Sequence, residues 1–247
     1  MTREIDRIAP TLRPAGRVAM RQRWSELLFL HWPVAVEAIR PLVPEPLDID
    51  TFDGVAYVGL VPFTMSGVRF AWAPAVPGAS RFHEANVRTY VHHRGRDPGV
   101  WFFSLDAANA LAVRAARRFW GLPYHYARIT LDRSAGGIAY RSERLWPGPT
   151  PAGCDLAYVP EGTPTASRPG TLEHFLAERY ILYATHRGRL RLGRVHHDPY
   201  PLQPARVLRL EESLLAAAGL PRPPDVAPLA HYAGGVSVRV YPLRPAT

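Results

Sequence analysis

Alternating apolar and polar residues predict a chain built mainly from antiparallel β-hairpins. The clearest alternation covers residues 82–93, where one face is polar and the other carries small or apolar side chains. The polar face consists of Glu84, Asn86, Arg88 and Tyr90. Two interpretations of this face remain open: it is exposed to solvent, or it lines a polar cavity inside a closed sheet.

Turn-forming sequences separate further strand-like segments. Asp53-Gly54 precedes the segment 55–63, which we expect to be a central strand because it is apolar on both faces. Residues 31–33 are predicted to form a turn, and residues 68–80 and 147–169 to form irregular loops. The other predicted hairpin turns lie at residues 94–99, 134–137 and 187–188.

The segment 99–132 predicts a strand, a helix, a tight turn and a second strand. Val100–Leu105 is the first strand, Asp106 is expected to cap the helix, and Gly121 is expected to end it. The expected buried face of the helix comprises Ala108, Leu111, Ala112, Ala115 and Phe119. Because residues 124–126 (Tyr-His-Tyr) follow the turn directly, a rigid helix delivers them to one fixed place.

Hairpins outnumber helices throughout the chain, and no change of composition indicates a second domain. We therefore predict an α+β fold that is mainly antiparallel β, in the form of a closed β-barrel or cone with a few flanking helices. We expect a flexible N-terminal arm over residues 1–20 and a single domain over residues 21–247.

Composition, cysteine count and net charge narrow the class of protein. The 247 residues are 47% apolar, with no apolar run long enough for a membrane span and no apolar signal core at the N-terminus. The single cysteine, Cys154, excludes an internal disulfide. We therefore expect a cytoplasmic protein without a membrane partner. The net charge of +9 invites a nucleic-acid partner, but the arginines are spread along the chain and no nucleic-acid motif occurs, so we expect none.

The absence of lysine restricts the possible chemistry more than the composition and the net charge do. All 30 basic residues are arginine and the chain contains no lysine, which excludes Schiff-base chemistry on a lysine amine. The pairs His92-His93 and His196-His197 cannot chelate one ion from a regular strand, since neighbouring side chains point to opposite faces. We predict no metal site and no cofactor.

The remaining polar groups suit acid–base work or the binding of an anion. Glu84 and Arg88 share one strand face with Asn86 between them, so their charged ends converge. Tyr124 and His125 become usable proton donors or acceptors once burial or a nearby charge shifts their pKa values. Hydrogen-bonded packing at the start of a strand is the alternative interpretation of these two residues.

Several motifs resemble a known family. They are HWPV at residues 31–34, the segments 47–63 and 86–91, GVWFFSLDAANALAVRAAR at 99–117, GLPY at 121–124, ERYILY at 178–183 and GRVHHDPYPLQ at 193–203. In this order they resemble the uncharacterised YqjF-like family (domain of unknown function 2071), which is similar to the acetoacetate decarboxylase-like superfamily. The resemblance extends over almost all of residues 21–243.

That resemblance implies a closed β-barrel or cone around an internal cavity. It also implies a lysine directly after a Gly-x-Pro turn, which forms an imine with a β-keto acid, a second lysine beside it and a glutamate on a neighbouring strand. Here the turn is present at residues 121–123, but Tyr124 stands in place of the imine lysine and His125 in place of its neighbour. Glu84 matches the glutamate. The cavity is expected to be retained, and imine-based decarboxylation is not.

Two functions follow as hypotheses. The first is an acid–base enzyme without an imine, of the isomerase, hydratase or lyase type, acting on a small carbonyl or carboxylate compound. Its catalytic residues would be Tyr124, His125 and Glu84, and its substrate-binding residues would be Arg88, Asn86, Tyr126, Arg144 and Phe103. The second is a non-catalytic carrier or sensor that binds a small ligand in the same cavity. The sequence leaves open whether the protein forms a homo-oligomer.

Overall fold

A computed structural model describes residues 5–76, 80–221 and 226–246 of the chain. Parts of three predicted segments lie outside the described residues: the first four residues of the arm 1–20, residues 77–79 of the loop 68–80, and residues 77–79, 222–225 and 247 of the domain 21–247. Within the arm, Ala9–Thr11 form a short 3₁₀ helix, and Arg7 makes an ion pair with the buried Asp50.

The described residues form fourteen strands and four short α-helices. The strands are β1 (Met20–Val34), β2 (Asp48–Ile49), β3 (Ala56–Phe70), β4 (Phe82–His93), β5 (Arg96–Ala107), β6 (Tyr124–Ser134), β7 (Gly137–Trp146), β8 (Gly153–Pro160), β9 (Thr165–Ala166), β10 (Ile181–His186), β11 (Arg189–His196), β12 (Pro201–Glu212), β13 (Leu229–Val240) and β14 (Arg244–Pro245). The helices are α1 (Val36–Ile39), α2 (Ala110–Trp120), α3 (Leu172–Ala177) and α4 (Leu214–Ala217), with a 3₁₀ turn at Arg40–Leu42 after α1.

The strands form one mixed sheet in which most neighbours are antiparallel. Their order is β14-β11-β10-β5-β6-β7-β8-β12-β13-β1-β3-β4-β2, with β9 beside β12, and β5 also pairs with β4 and β11 with β13. Among the described strands, parallel pairing occurs only at β5, which adjoins β10 at Val100–Trp101 and β6 at Leu105–Ala107. The predicted α+β fold, mainly antiparallel with few helices, is confirmed.

Strand β5 pairs with β10, β6 and β4, and strand β13 pairs with β12, β1 and β11, so both change partner along their length. Strands β4, β3 and β1 lie on the path between these two strands, and we call them the shared strands. Each face of the shared strands is covered by its own apolar cluster. We call the first cluster core A; its members include Leu60, Ala85, Val87, Ile129 and Tyr140. We call the second cluster core B; its members include Phe29, Val61, Phe63, Ala107 and Val113. The central strand predicted over residues 55–63 is confirmed, since β3 contributes to both cores.

The polar face predicted on residues 82–93 is buried. Strand β4 has these bounds, and its residues Glu84, Asn86, Arg88 and Tyr90 are all buried on the side of the strand that faces away from Ala85 and Val87 of core A. The solvent-exposed interpretation of this face is therefore wrong. Four polar side chains inside the sheet require hydrogen-bonding partners, and these partners define the candidate site.

The segment 99–132 forms the predicted order of elements with a different helix start. Asp106 lies inside β5, and Asn109 caps α2 by accepting a hydrogen bond from the Ala112 backbone N–H at 3.0 Å. Asp106 is unavailable as a cap because Arg144 binds it from β7. Gly121 ends the helix with φ +67°, as predicted.

The predicted buried face of α2 is wrong at its two largest residues. Leu111 and Phe119 are 73% and 64% exposed, whereas Val113 and Ala116 are buried. The helix contacts both β6 and β10, which lie on either side of β5. This tertiary contact buries the side of the helix that carries Val113.

Two other expectations are also corrected. Residues 31–33 belong to β1 and form no turn. The predicted loop 147–169 contains strands β8 and β9, and Cys154 is buried in β8 with its sulfur 3.2 Å from the Ser142 hydroxyl. The hairpin at residues 187–188 is confirmed. No helix in the described part of the chain is long and apolar enough to cross a membrane.

Candidate functional site

Glu84 and Tyr124 meet because β5 joins the strands that carry them. Glu84 pairs with Ala107 of β5, and the end of β5 runs parallel to the start of β6, where Leu105 pairs with Tyr124. The Tyr124 hydroxyl donates a hydrogen bond to Glu84 Oε2 at 2.8 Å. Glu84 is only 2% exposed, and Tyr124 is its only hydrogen-bond partner among the described side chains.

Burial controls the acidity of this pair. Removal from water raises the pKa of Glu84 to about 8; the hydrogen bond from Tyr124 opposes this rise, and the nearby Asp106 adds to it. Burial, with the Glu84 charge and the hydrogen bond to it, raises the pKa of Tyr124 well above its usual value. Near neutral pH the site therefore holds a carboxyl group poised to gain or lose a proton, beside a phenol that keeps its proton.

The turn after α2 fixes the position of Tyr124. A Cβ on Gly121 would meet the Thr185 backbone oxygen at 2.4 Å, so only glycine allows this close approach to β10. Arg117 donates from Nη1 to the Tyr124 backbone oxygen at 2.7 Å. The predicted rigid delivery of residues 124–126 therefore rests on specific backbone contacts.

Two further polar groups on the same face of β4 have incomplete hydrogen bonding. Arg88 donates from Nη2 to the Leu176 backbone oxygen at 3.0 Å, but its Nε is buried without a partner. Asn86 is buried, and its Oδ1 also has no partner among the described residues. Unsatisfied buried groups are costly, so their presence beside a shifted acid points to a place for a ligand or for ordered water.

His31 and Tyr90 form the far end of this polar face. The Tyr90 hydroxyl donates to the Leu176 backbone oxygen at 2.7 Å and lies 2.6 Å from His31 Nε2. Since a carbonyl only accepts, the hydroxyl proton is used there, and His31 Nε2–H donates to the Tyr90 oxygen. Burial, then the Arg88 charge, lowers the pKa of His31 well below its usual value, so the imidazole is neutral.

His125 and Arg144 lie on the opposite face of the sheet from the Glu84–Tyr124 pair. Successive strand residues point to opposite faces, and His125 Nδ1–H donates to the Pro147 backbone oxygen at 2.7 Å. Arg144 binds Asp106 with two parallel hydrogen bonds of 2.8 and 2.7 Å, and both side chains are almost fully buried. The structure therefore brings Glu84, Tyr124, Asn86 and Arg88 together and leaves His125 and Arg144 apart from them.

The two aromatic residues predicted to bind substrate, Tyr126 and Phe103, pack against different apolar clusters. Tyr126 packs against core B, on the same side as Tyr124. Phe103 packs against core A and against a smaller apolar cluster that includes Leu47 and Tyr183.

Sequence reasoning assigned no role to two residues at the site. His31 occurs in one of the quoted family motifs, but its segment was predicted to be a turn, which hid its place on a strand. Tyr90 occupies the polar face of β4, and this spacing alone could have assigned it to the site.

Hollows and metal ligands do not add to this site. Two hollows of the described surface have volumes of about 790 and 370 Å³, and neither is lined by Glu84 or Tyr124. Within the described residues, no group of three or more His, Cys, Asp or Glu side chains is placed to hold a metal ion.

Solved structures with a similar fold are enzymes. The enduracididine biosynthesis enzyme MppR complexed with pyruvate matches with a TM-score of 0.63 at 14% identity, covering 95% of this chain and 91% of that chain. An acetoacetate decarboxylase-like enzyme from Sphingomonas wittichii RW1 matches with a TM-score of 0.60 at 14% identity, over 94% of each chain. Acetoacetate decarboxylase from Legionella pneumophila gives 0.57 at 13% identity, over 95% and 94%. These likenesses show an acetoacetate decarboxylase-like fold.

Closer relatives identify the family. Uncharacterized protein YqjF of Bacillus subtilis (strain 168) is 40% identical over 231 residues, which is 94% of each chain. The family model DUF2071, described as "Uncharacterized conserved protein", matches residues 21–237. The resemblance expected from the sequence motifs is confirmed: the chain belongs to the DUF2071 family of uncharacterised conserved proteins.

Proposed function

We propose that the chain is an acid–base enzyme that works without an imine on a small carbonyl or carboxylate compound. The observation that carries this proposal is the buried Glu84–Tyr124 pair, in which the carboxyl pKa is raised to about 8. A general base works best when its pKa lies near the operating pH. Because the chain has no lysine, the electrophilic assistance must come from hydrogen bonds to the substrate oxygen and not from an imine.

The pairing of the shared strands supports an enclosed site. A path of hydrogen-bonded neighbours runs from β4 through β3, β1, β13, β11, β10 and β5 and returns to β4. This circuit supports a closed barrel or cone, with the Glu84 face of β4 directed to its interior. Exclusion of water from such an interior strengthens each electrostatic interaction within it.

The proposed step is removal of a proton from the carbon next to the substrate carbonyl. The ionised Glu84 takes this proton as the C–H bond breaks, and the electron pair forms the C=C bond of an enolate. As Glu84 becomes neutral, the Tyr124 hydroxyl releases Glu84 Oε2 and donates its one hydrogen bond to the enolate oxygen. Arg88 and Asn86 bind the substrate carboxylate through the Arg88 Nε–H and the Asn86 amide N–H. Return of the proton from Glu84 to carbon completes an isomerisation or an exchange.

A 2-oxo acid is the first substrate class to test. MppR was solved with pyruvate and with the condensation product of pyruvate and imidazole 4-carboxaldehyde. Pyruvate has both features that the proposed site recognises, a carboxylate and a carbonyl with an acidic neighbouring C–H. It is therefore a suitable probe of the proposed chemistry.

The test is exchange of the pyruvate methyl protons in D₂O, followed by ¹H NMR. We expect the protein to accelerate exchange, with a rate that rises with pH up to about pH 8, since the ionised Glu84 is the base. Glu84→Gln and Tyr124→Phe should each reduce the rate by about 10²–10⁴-fold. Wild-type exchange rates in Glu84→Gln would contradict the proposal.

A matched control is available in the same molecule. Glu178 is another buried glutamate that accepts a hydrogen bond from a tyrosine, Tyr180, at 2.6 Å. Glu178→Gln should leave the exchange rate unchanged. Saturable binding of pyruvate without exchange would instead favour the carrier or sensor hypothesis. Treatment with pyruvate and borohydride should add no mass at a side-chain amine, because the chain has no lysine.

A further inference from the structure

Four arginines, none of which belongs to the site described above, lie together on the outer surface of β13, β1 and β3. Arg21 of β1 is paired directly with Arg239 of β13 on one side and with Arg69 of β3 on the other. Arg23 lies two residues along β1 and therefore on the same face. Like charges directly opposite one another on neighbouring strands repel, so this arrangement opposes folding unless an anion offsets it.

A β-bulge completes the cluster. Arg21 pairs with Arg69, but Arg23 pairs with Ser66, so β3 has one more residue than β1 between these two pairs. Gly67 provides the bulge with φ +61°. In a regular strand Ser66 and Arg69 would point to opposite faces, and the extra residue directs both to the face that carries Arg21 and Arg23.

These guanidinium groups have no carboxylate partner among the described residues. Some exposed arginines elsewhere on the surface do have such a partner, as in Arg128–Glu143 and Arg206–Glu161. In the cluster, by contrast, the Arg239 Nε is buried and has no hydrogen-bond partner. Four cations and no counter-charge form a site of strongly positive potential.

The cluster surrounds a hollow of about 370 Å³, within the size range of small-molecule sites. Its lining adds the hydroxyl groups of Ser66 and Ser237 to the four arginines and includes no acidic side chain. We propose that this hollow is a binding site for the phosphoryl group of a small molecule. Guanidinium forks bind phosphate oxygens in pairs, and serine hydroxyls supply further donors.

The test uses inorganic pyrophosphate as the probe, with isothermal titration calorimetry of the full chain at low salt. Arg21→Gln should weaken binding about tenfold, which corresponds to about 1.4 kcal/mol, and Arg21→Gln with Arg239→Gln should weaken it further. The control is Arg114→Gln, on the exposed side of α2, and it should not change the affinity. Equal weakening by Arg114→Gln would show attraction by net charge alone and would overturn the proposal.

Thermal unfolding gives a second readout that does not depend on measurable heat of binding. Without anion, Arg21→Gln should unfold at a higher temperature than the wild type, because one repulsive charge is removed. Pyrophosphate should raise the unfolding temperature of the wild type and of Arg114→Gln equally, and should raise that of Arg21→Gln by less. A lower unfolding temperature for Arg21→Gln without anion would assign the arginines a structural role instead.

A nucleic-acid backbone offers the same phosphate chemistry in a different class of partner. A single-stranded oligonucleotide is therefore titrated in parallel under the same salt conditions. We expect it to bind no more tightly than pyrophosphate, because the hollow accommodates one phosphoryl group or two. Binding more than about a hundredfold tighter, with steep salt dependence, would replace the small-molecule proposal with a nucleic-acid site.

Discussion

The described residues contain two buried glutamate–tyrosine pairs, which differ in their hydrogen bonding. Glu178, at the end of α3, accepts hydrogen bonds on both oxygens, from the Tyr180 hydroxyl at 2.6 Å and from the Tyr200 backbone N–H at 2.8 Å. Glu84 accepts one hydrogen bond, from Tyr124, and its neighbours Asn86 and Arg88 have buried polar atoms without partners.

This difference separates a structural pair from a candidate functional pair. Burial raises the pKa of both glutamates, and their hydrogen bonds oppose the rise. The donors to Glu178 tie α3 to the starts of β10 and β12, so that pair fixes the backbone. Glu84 joins no backbone group among the described residues, and its hydrogen-bonding capacity is incompletely used. A raised pKa alone therefore does not mark a site; the two pairs differ in how far the carboxylate itself is hydrogen-bonded, with one donor to Glu84 and two to Glu178.

The largest expected effect concerns a third buried acid, Asp106, whose charge is compensated by the guanidinium group of Arg144. Arg144→Met would leave Asp106 buried without its bidentate partner, and we expect a loss of about 3–5 kcal/mol in the free energy of unfolding. Urea denaturation measures this loss. A change below about 1 kcal/mol would contradict the role of Arg144 in compensating the buried Asp106 carboxylate.

Leucine substitutions should separate the two glutamate–tyrosine pairs by stability. Glu178→Leu leaves two buried donors without acceptors, and at about 1–2 kcal/mol each the expected loss is about 2–4 kcal/mol. Glu84→Leu leaves only the Tyr124 hydroxyl unpaired and also removes a buried acid with a raised pKa, so its loss should be smaller. Urea denaturation at pH 7 tests the order, and a larger loss for Glu84→Leu would reverse the comparison.

The pH dependence of stability should distinguish Glu84→Gln from the wild type. The folded protein retains the Glu84 proton up to about pH 8, whereas the unfolded chain releases it near the ordinary glutamate value. Stability contributed by this group is therefore complete below that ordinary value and is lost as the pH rises towards 8. The wild type should lose up to about 1.4 kcal/mol per pH unit relative to Glu84→Gln in this window. A constant difference between the two proteins would contradict the raised pKa.

The smallest effect is expected at His125. Its Nδ1–H donates to the Pro147 backbone oxygen on the other face of the sheet, so His125→Gln should cost about 1 kcal/mol or less. The exchange rate with pyruvate should be unchanged. A loss of exchange as large as that of Glu84→Gln would return His125 to the catalytic group in which the sequence placed it.

Local sequence signals predicted the elements that depend on local physics. The alternation over β4, the αL glycine at Gly121 and the turn at residues 187–188 all appear in the structure. The buried face of α2 was wrong, because apolar residues occur on both sides of that helix and its contacts with β6 and β10 decide which side is buried. Strand β8 was missed because prolines and glycines surround its short alternation.

Local sequence signals likewise predicted only part of the candidate site. Glu84 and Tyr124 were singled out from strand spacing and from the resemblance, and they do form a pair. Asp106 was predicted to be a helix cap because its partner, Arg144, is on a strand far along the chain. Likewise, nothing local distinguishes Glu178 from an exposed glutamate at a helix end. Long-range pairing decides these cases, and a single sequence does not contain it.

The most direct test of the central claim is the titration of the Glu84 carboxyl group by infrared difference spectroscopy. Subtracting the spectrum of Glu84→Gln from that of the wild type isolates the C=O stretch of the protonated Glu84 carboxyl group. The same subtraction with Glu178→Gln gives the matched spectrum of the structural pair. We predict that the Glu84 band persists through neutral pH and is lost near pH 8, and that Tyr124→Phe moves this loss to higher pH because the hydrogen bond to the carboxylate is removed. Complete ionisation of Glu84 below pH 6 would contradict the account.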